Sequence, residues 1–222
     1  KLVQLICCVW YPVTFPFLKK KGKKSRWWFP LPETIQCTWQ KTIYEGDNDF
    51  LICTCSTNSF IAIDENNIDA AIFSKEDITF NGEGKLEIIS NSGHGIVSKD
   101  DLVFISGEYK IEANSHAISG KDSVRIAGGS FNLNAKKDGI HAENADNASL
   151  GYIYIQGGDF QITSLSDGIA SGNILQLDSG NFNIKSGTQN QTDLSGKGIK
   201  SVKELVINSG EFKIDSVDDA IH

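Results

Sequence analysis

From Ala71 onward the chain repeats itself, and the repeat leaves few folds open. A small residue followed by Ile recurs as Ala71-Ile72, Gly95-Ile96, Ala117-Ile118, Gly139-Ile140, Gly168-Ile169, Gly198-Ile199 and Ala220-Ile221. The Ile spacings are 24, 22, 22, 29, 30 and 22, which is a period of 22 with insertions of two, seven and eight residues. Two further signatures keep the same phase. Six residues after the Ile an apolar alternation begins, at Ile78/Phe80, Leu102/Phe104, Val124/Ile126, Leu175/Leu177 and Leu205/Ile207, with Ile153/Ile155 displaced by an insertion. Then comes Gly-x-aromatic-x-aliphatic, at Gly107/Tyr109/Ile111, Gly129/Phe131/Leu133, Gly158/Phe160/Ile162, Gly180/Phe182/Ile184 and Gly210/Phe212/Ile214.

Alternation with period two marks strands, and the breakers between them mark turns. Each unit therefore holds three short strands, the one around the Gly-Ile step being minimal. A repeat of this kind buries its apolar face only by stacking on the next unit, in parallel, at about 4.7–4.9 Å. The expected fold is all-β, a right-handed parallel β-helix of about 22 residues per coil with three short strands per coil. Like residues should then stack on like, giving an Ile column and an aromatic column inside.

Composition divides the chain at the same place. All four Trp, all five Cys and all four Pro lie within residues 1–55, whereas only two of the 21 Gly precede residue 71. Residues 1–65 are thus read as a segment that matches the repeat poorly, either a cap for the first coil or misassigned sequence. Residues 66–222 are the repeat domain, expected to continue in further coils beyond His222. Residues 1–41 carry eight Lys/Arg and one acid, so the net charge of −7 leaves −14 on the remainder. An acidic body does not suit a phosphate backbone, so nucleic acid is not an expected partner. The apolar stretch Leu2–Leu18 is interrupted by Gln4, Pro12, Thr14 and Pro16, which argues against membrane insertion. Cys7-Cys8 and Cys53-Thr-Cys55 lack the spacing of zinc or redox motifs.

The segments Ala71-Ile-Phe-Ser-Lys-Glu-Asp77, Gly95-Ile-Val-Ser-Lys-Asp-Asp101, Gly151-Tyr-Ile-Tyr-Ile-Gln-Gly-Gly158 and Asp218-Asp-Ala-Ile-His222 closely resemble those of a known family. It comprises carbohydrate-binding-domain-containing β-helix proteins, similar in fold to pectate lyases, secreted by Gram-positive bacteria. The resemblance spans about residues 66–222. It implies a secreted or cell-surface bacterial protein, a cellulose or acidic-polysaccharide ligand, and an association with calcium.

In a stacked solenoid a residue's neighbours are its equivalents one period away. Two residues before each Ile the column reads Ala70, His94, His116, Asp138, Asp167, Lys197, Asp219. Asp138 and Asp167 should lie on adjacent coils as exposed carboxylates about one strand spacing apart. A hard divalent cation that takes oxygen ligands would bridge them, with Glu143, Asp146 and Asp219 near the same edge, and calcium is the candidate. The alternative is that these Asp residues simply begin turns. A second edge reads Lys75, Lys99, Lys121 beside Glu76, Asp100, Asp122, expected to neutralise one another.

Outward positions on the third strands include Asn132, Gln161 and Asn183, an amide row, while Tyr152 and Tyr154 point outward on the strand before it. Amides suit sugar hydroxyls and aromatic faces suit sugar C–H faces, although an amide ladder also supports a sheet by itself. The function read from these features together with the resemblance is non-catalytic polysaccharide binding, with calcium as the candidate cofactor. One alternative is a structural adhesin or fibre protein that self-associates through uncapped coil ends. The other is a calcium-dependent polysaccharide lyase, for which Lys197, beside the Asp column, and Arg125, facing outward on a strand, are the basic groups at hand.

Overall fold

The computed structural model describes residues 68–188 and 195–222, together with the course of four earlier strands at Leu2–Cys7, Ile35–Gln40, Ile43–Glu45 and Phe50–Cys53. Every regular element in it is a strand, and no helix among the described residues is long and apolar enough to cross a membrane. The cysteine side chains and the Asp193 loop lie outside the described residues.

The strands form three sheets in which each coil contributes one strand to each, which makes the fold a parallel β-helix. The first sheet runs through Ala70–Ser74, His94–Ser98, Ile118–Gly120, Ile140–Ala142, Ile169–Ser171 and Ile199–Ser201. The second contains Ile78–Asn81, Asp101–Phe104, Ser123–Ile126, Tyr152–Ile155, Ile174–Leu177 and Glu204–Ile207. The third contains Lys85–Ser90, Glu108–Ala113, Ser130–Ala135, Asp159–Ser164, Asn181–Ser186 and Glu211–Ser216. Ile43–Glu45 and Phe50–Cys53 extend the second and third sheets in parallel, ahead of the first plain repeat. On the first sheet Leu2–Cys7 instead pairs antiparallel with Ala70–Ser74, which ends the parallel run on that edge.

The register is the one the repeat demands. Ile96, Ile118, Ile140, Ile169 and Ile199 pair in sequence and are fully buried. Beside them Tyr109, Phe131, Phe160, Phe182 and Phe212 stack at centroid separations of 4.9, 5.0, 4.7 and 4.9 Å. Those separations equal the strand spacing, so hydrogen bonding and ring stacking impose the same rise per coil.

Two small-residue columns make this packing possible. A Cβ on Gly139 would meet Ile162 Cγ2 at 2.4 Å, because the third strand's aliphatic residue presses against the first strand at the Gly-Ile step. Gly158 enters the third sheet with φ +124, a conformation that residues with a Cβ rarely adopt. Repetition of these two constraints is why Gly concentrates in the body of the chain.

Candidate functional site

Alternation along the third sheet sends Phe131, Phe160 and Phe182 inward and Asn132, Gln161 and Asn183 outward. Asn132 pairs with Gln161, Gln161 with Asn183, and Asn183 with Lys213, so the amides form one row across successive coils. Asn183 Nδ2 donates to Gln161 Oε1 at 3.0 Å, and in the neighbouring row Asn181 Nδ2 donates to Asp159 Oδ1 at 2.7 Å. The face forms a shallow groove of about 520 Å³ whose polar lining also includes Ser130, Glu211 and Lys213. Toward the N-terminus the amide row gives way to charge, where Lys110 Nζ meets Glu87 Oε1 at 2.7 Å.

Tyr152 and Tyr154 project from the second sheet, so they do not share the groove with the amides. Tyr154 Oη donates to Asp178 Oδ2 at 2.6 Å, while Gln176 Nε2 and Asn208 Nδ2 donate to Asp178 Oδ1 at 2.7 Å each. Hydrogen bonds from Gln176, Tyr154 and Asn208 hold the Asp178 carboxyl below its ordinary range. The sequence-predicted sugar residues thus fall into two separate surfaces.

The first-sheet edge differs more from expectation. Asp138 and Asp167 do sit on adjacent coils, but they are buried rather than exposed. Asp138 Oδ1 accepts the backbone N–H of Asp167, and Asp167 Oδ1 accepts that of Lys197, at 3.0 and 2.9 Å. The outer oxygen of Asp167 lies 3.3 Å from Lys200 Nζ. That of Asp138 meets His116 Nδ1 at 3.2 Å and His141 Nδ1 at 2.8 Å. Burial opposes ionisation of Asp138, yet hydrogen bonds to His116 and His141 overcome it and hold the carboxyl far below its usual range. Burial pushes the His116 imidazole down, against the pull of Asp138.

The other acids proposed as ligands do not converge with this pair. Asp146 is exposed and pairs with Lys121, and Asp219 pairs with His222 Nδ1 at 2.8 Å. Glu143 is exposed, with Oε2 3.6 Å from His141 Nε2. Calcium takes six to eight oxygens. Asp138 and Asp167 do not fit that demand, because their oxygens are already engaged by N–H groups, imidazoles and a lysine. The expected neutralisation along the second edge also fails in part. Lys121 turns to Asp146 and Lys99 lies over the Phe73 ring, while burial and then Asp77 and Asp122 push the Asp100 carboxyl up.

The residues that sequence reasoning passed over are the histidines. His94, His116 and His141 stack on successive coils at centroid separations of 5.0 and 4.3 Å. The available signal was Asp138-Gly-Ile-His141, repeated as Asp219-Ala-Ile-His222, since in both the Asp and His side chains meet across the minimal strand.

A family model described as carbohydrate-binding domain-containing protein matches residues 37–222, and so takes in the strands at Ile43–Glu45 and Phe50–Cys53. Among solved structures the chain is similar to the polysaccharide lyase-like protein from C. thermocellum, solved as a gadolinium derivative, with 27% identity and a TM-score of 0.65. The alignment covers 76% of this chain and 66% of that one, so the chain spans just under two thirds of that protein. No curated protein sequence matches.

Proposed function

The chain belongs to the family of carbohydrate-binding domain-containing proteins, and from that premise we propose that it binds a polysaccharide along the outward face of the third sheet without cleaving it. The observation that carries this reading is the neutral row Asn132–Gln161–Asn183 lying in the groove. Each amide both donates and accepts, as a sugar hydroxyl requires. One amide per coil, repeating at about 4.8 Å, suits an extended sugar chain laid along the solenoid axis. Binding of a single chain should be weak, because a shallow face buries little of its ligand.

The ligand we favour is cellulose or an acidic polymer such as polygalacturonate, and the proposal takes the protein to act outside the cell or on its surface. Lys213 supplies a cation for a uronate at one end of the row. Any calcium-assisted mode would draw on the groove carboxylates Asp159 and Glu211, since those of Asp138 and Asp167 are occupied. A lyase needs a free base. Lys197 is bonded to Asp218, which holds its ammonium protonated above the usual range, and Arg125 Nη2 is held by Asp101 at 2.7 Å.

Retention on insoluble cellulose and on immobilised polygalacturonate, with and without calcium chloride, tests the proposal. Retention that falls in Gln161→Ala/Asn183→Ala supports it. Retention on neither polymer would favour the structural reading, and release of unsaturated uronide would make the protein an enzyme.

A further inference from the structure

We propose that His116, Asp138 and His141 form a binding site for one borderline divalent transition-metal ion of the zinc type, clamping two adjacent coils. His116 belongs to the coil of Ile118–Gly120, and Asp138 and His141 flank the start of the next first-sheet strand, Ile140–Ala142. One ligand atom from each of the three side chains lies within 4.8 Å of the other two. The separations of 3.2 and 2.8 Å from Asp138 Oδ2 to the two Nδ1 atoms fall a little short of the ligand spacing of tetrahedral zinc, so a small opening of these side chains would admit the ion. With metal–ligand bonds of about 2.0–2.2 Å, neighbouring ligands of such an ion stand about 3.3 Å apart.

A second observation points to a cation at this place. His116 Nδ1 faces the backbone N–H of Asp138 at 3.2 Å and the Asp138 carboxylate oxygen at 3.2 Å. Protonated, it opposes the N–H; unprotonated, it opposes the oxygen. Neither tautomer satisfies both contacts; a metal ion between Nδ1 and Oδ2 would replace the opposition of lone pair and carboxylate by two bonds, in exchange for the 3.2 Å contact from the Asp138 N–H. The surroundings also have the form that supports a ligating imidazole. His141 Nε2 lies 3.6 Å from Glu143 Oε2, so with Nδ1 on the metal the far nitrogen has a carboxylate to orient it. His116 is held between the rings of His94 and His141.

Two nitrogens and one carboxylate make a donor set for zinc, nickel or copper rather than for calcium. The C-terminal repeat of the motif provides an internal contrast. Asp219 and His222 meet at the same 2.8 Å, but the previous coil offers Lys197 where His116 would be, and an ammonium repels a cation.

The test uses tag-free protein stripped with chelator and titrated with zinc chloride, read by calorimetry and by thermal melting. Zinc should bind with one equivalent and raise the melting temperature, and cobalt(II) should give the visible absorption of a tetrahedral site. His141→Ala should abolish both effects; because it also takes a partner from the buried Asp138 carboxylate, its metal-free melt should fall, and the readout is the zinc-induced shift relative to its own metal-free protein. Asp219→Ala/His222→Ala should leave zinc binding intact, and excess calcium should not displace zinc. An unchanged melt with zinc, or a zinc response that survives in both His116→Ala and His141→Ala, would overturn the site.

Discussion

Asp167 donates its backbone N–H to Oδ1 of Asp138, its equivalent on the preceding coil, across 3.0 Å in a buried setting. The same link recurs from Lys197 N–H to Asp167 Oδ1 at 2.9 Å, so one carboxylate after another closes the turn above it. Asp138→Ala should leave a buried donor unmatched and destabilise the fold by about 1–3 kcal/mol, measured by urea unfolding of metal-free protein. A loss within experimental error would mean that the turn finds another acceptor.

Phe160 lies between Phe131 and Phe182 at 5.0 and 4.7 Å, with interplanar angles of 6° and 3°. Phe160→Ala opens a gap in a continuous column and should cost about 3–5 kcal/mol. Chemical denaturation monitored by circular dichroism checks it, and a cost below about 1 kcal/mol would mean that the column collapses over the gap.

Gly139→Ala places a Cβ 2.4 Å from Ile162 Cγ2 and 2.7 Å from the Gly168 carbonyl oxygen. Overpacking of this kind typically costs about 1–3 kcal/mol. Ile162→Ala removes one of the two obstacles, so the double variant should be more stable than the sum of the single losses predicts, in a double-mutant cycle. Strict additivity would place the strain entirely at the Gly168 carbonyl.

The amide row and the tyrosines occupy different sheets, and a retention assay can tell them apart. Gln161→Ala/Asn183→Ala should lower retention on polysaccharide while changing stability by no more than about 1 kcal/mol, the net worth of their shared hydrogen bond. Tyr154→Ala should leave retention unchanged. Loss of retention in Tyr154→Ala alone would move the proposed site to the second sheet.

The Asp178 carboxyl is held below its ordinary range by donors that exist only in the folded chain. A depressed folded pKa adds stability above the unfolded value, near 3.9, and that contribution disappears as the pH falls through the folded value. The melting temperature should therefore drop less steeply below about pH 4 in Asp178→Asn than in the parent. Parallel slopes in the two proteins would remove Asp178 from the acid limb.

Much of this molecule was legible in its sequence, because a repeat fixes the translation from one coil to the next. Once Ile96, Ile118 and Ile140 are known to be one period apart, hydrogen bonding between coils must stack them. The same holds for Phe131, Phe160 and Phe182, and for Asn132, Gln161 and Asn183 on the opposite side of the strand. A period does not specify the angle between sheets or the depth of a turn. Those depend on turn backbones that bend each coil in three dimensions. The sequence already set Tyr152 and Tyr154 on a different strand from the amide row, and only the tertiary structure put the two strands on separate surfaces. The tertiary structure also drew Asp138 and Asp167 inside, where burial forces each carboxylate to find donors. In an extended strand, positions three apart face opposite sides, so strand geometry alone would separate Asp138 from His141. The turn that precedes Ile140 brings their side chains together, and with His116 they make a cluster that the repeat alone did not announce.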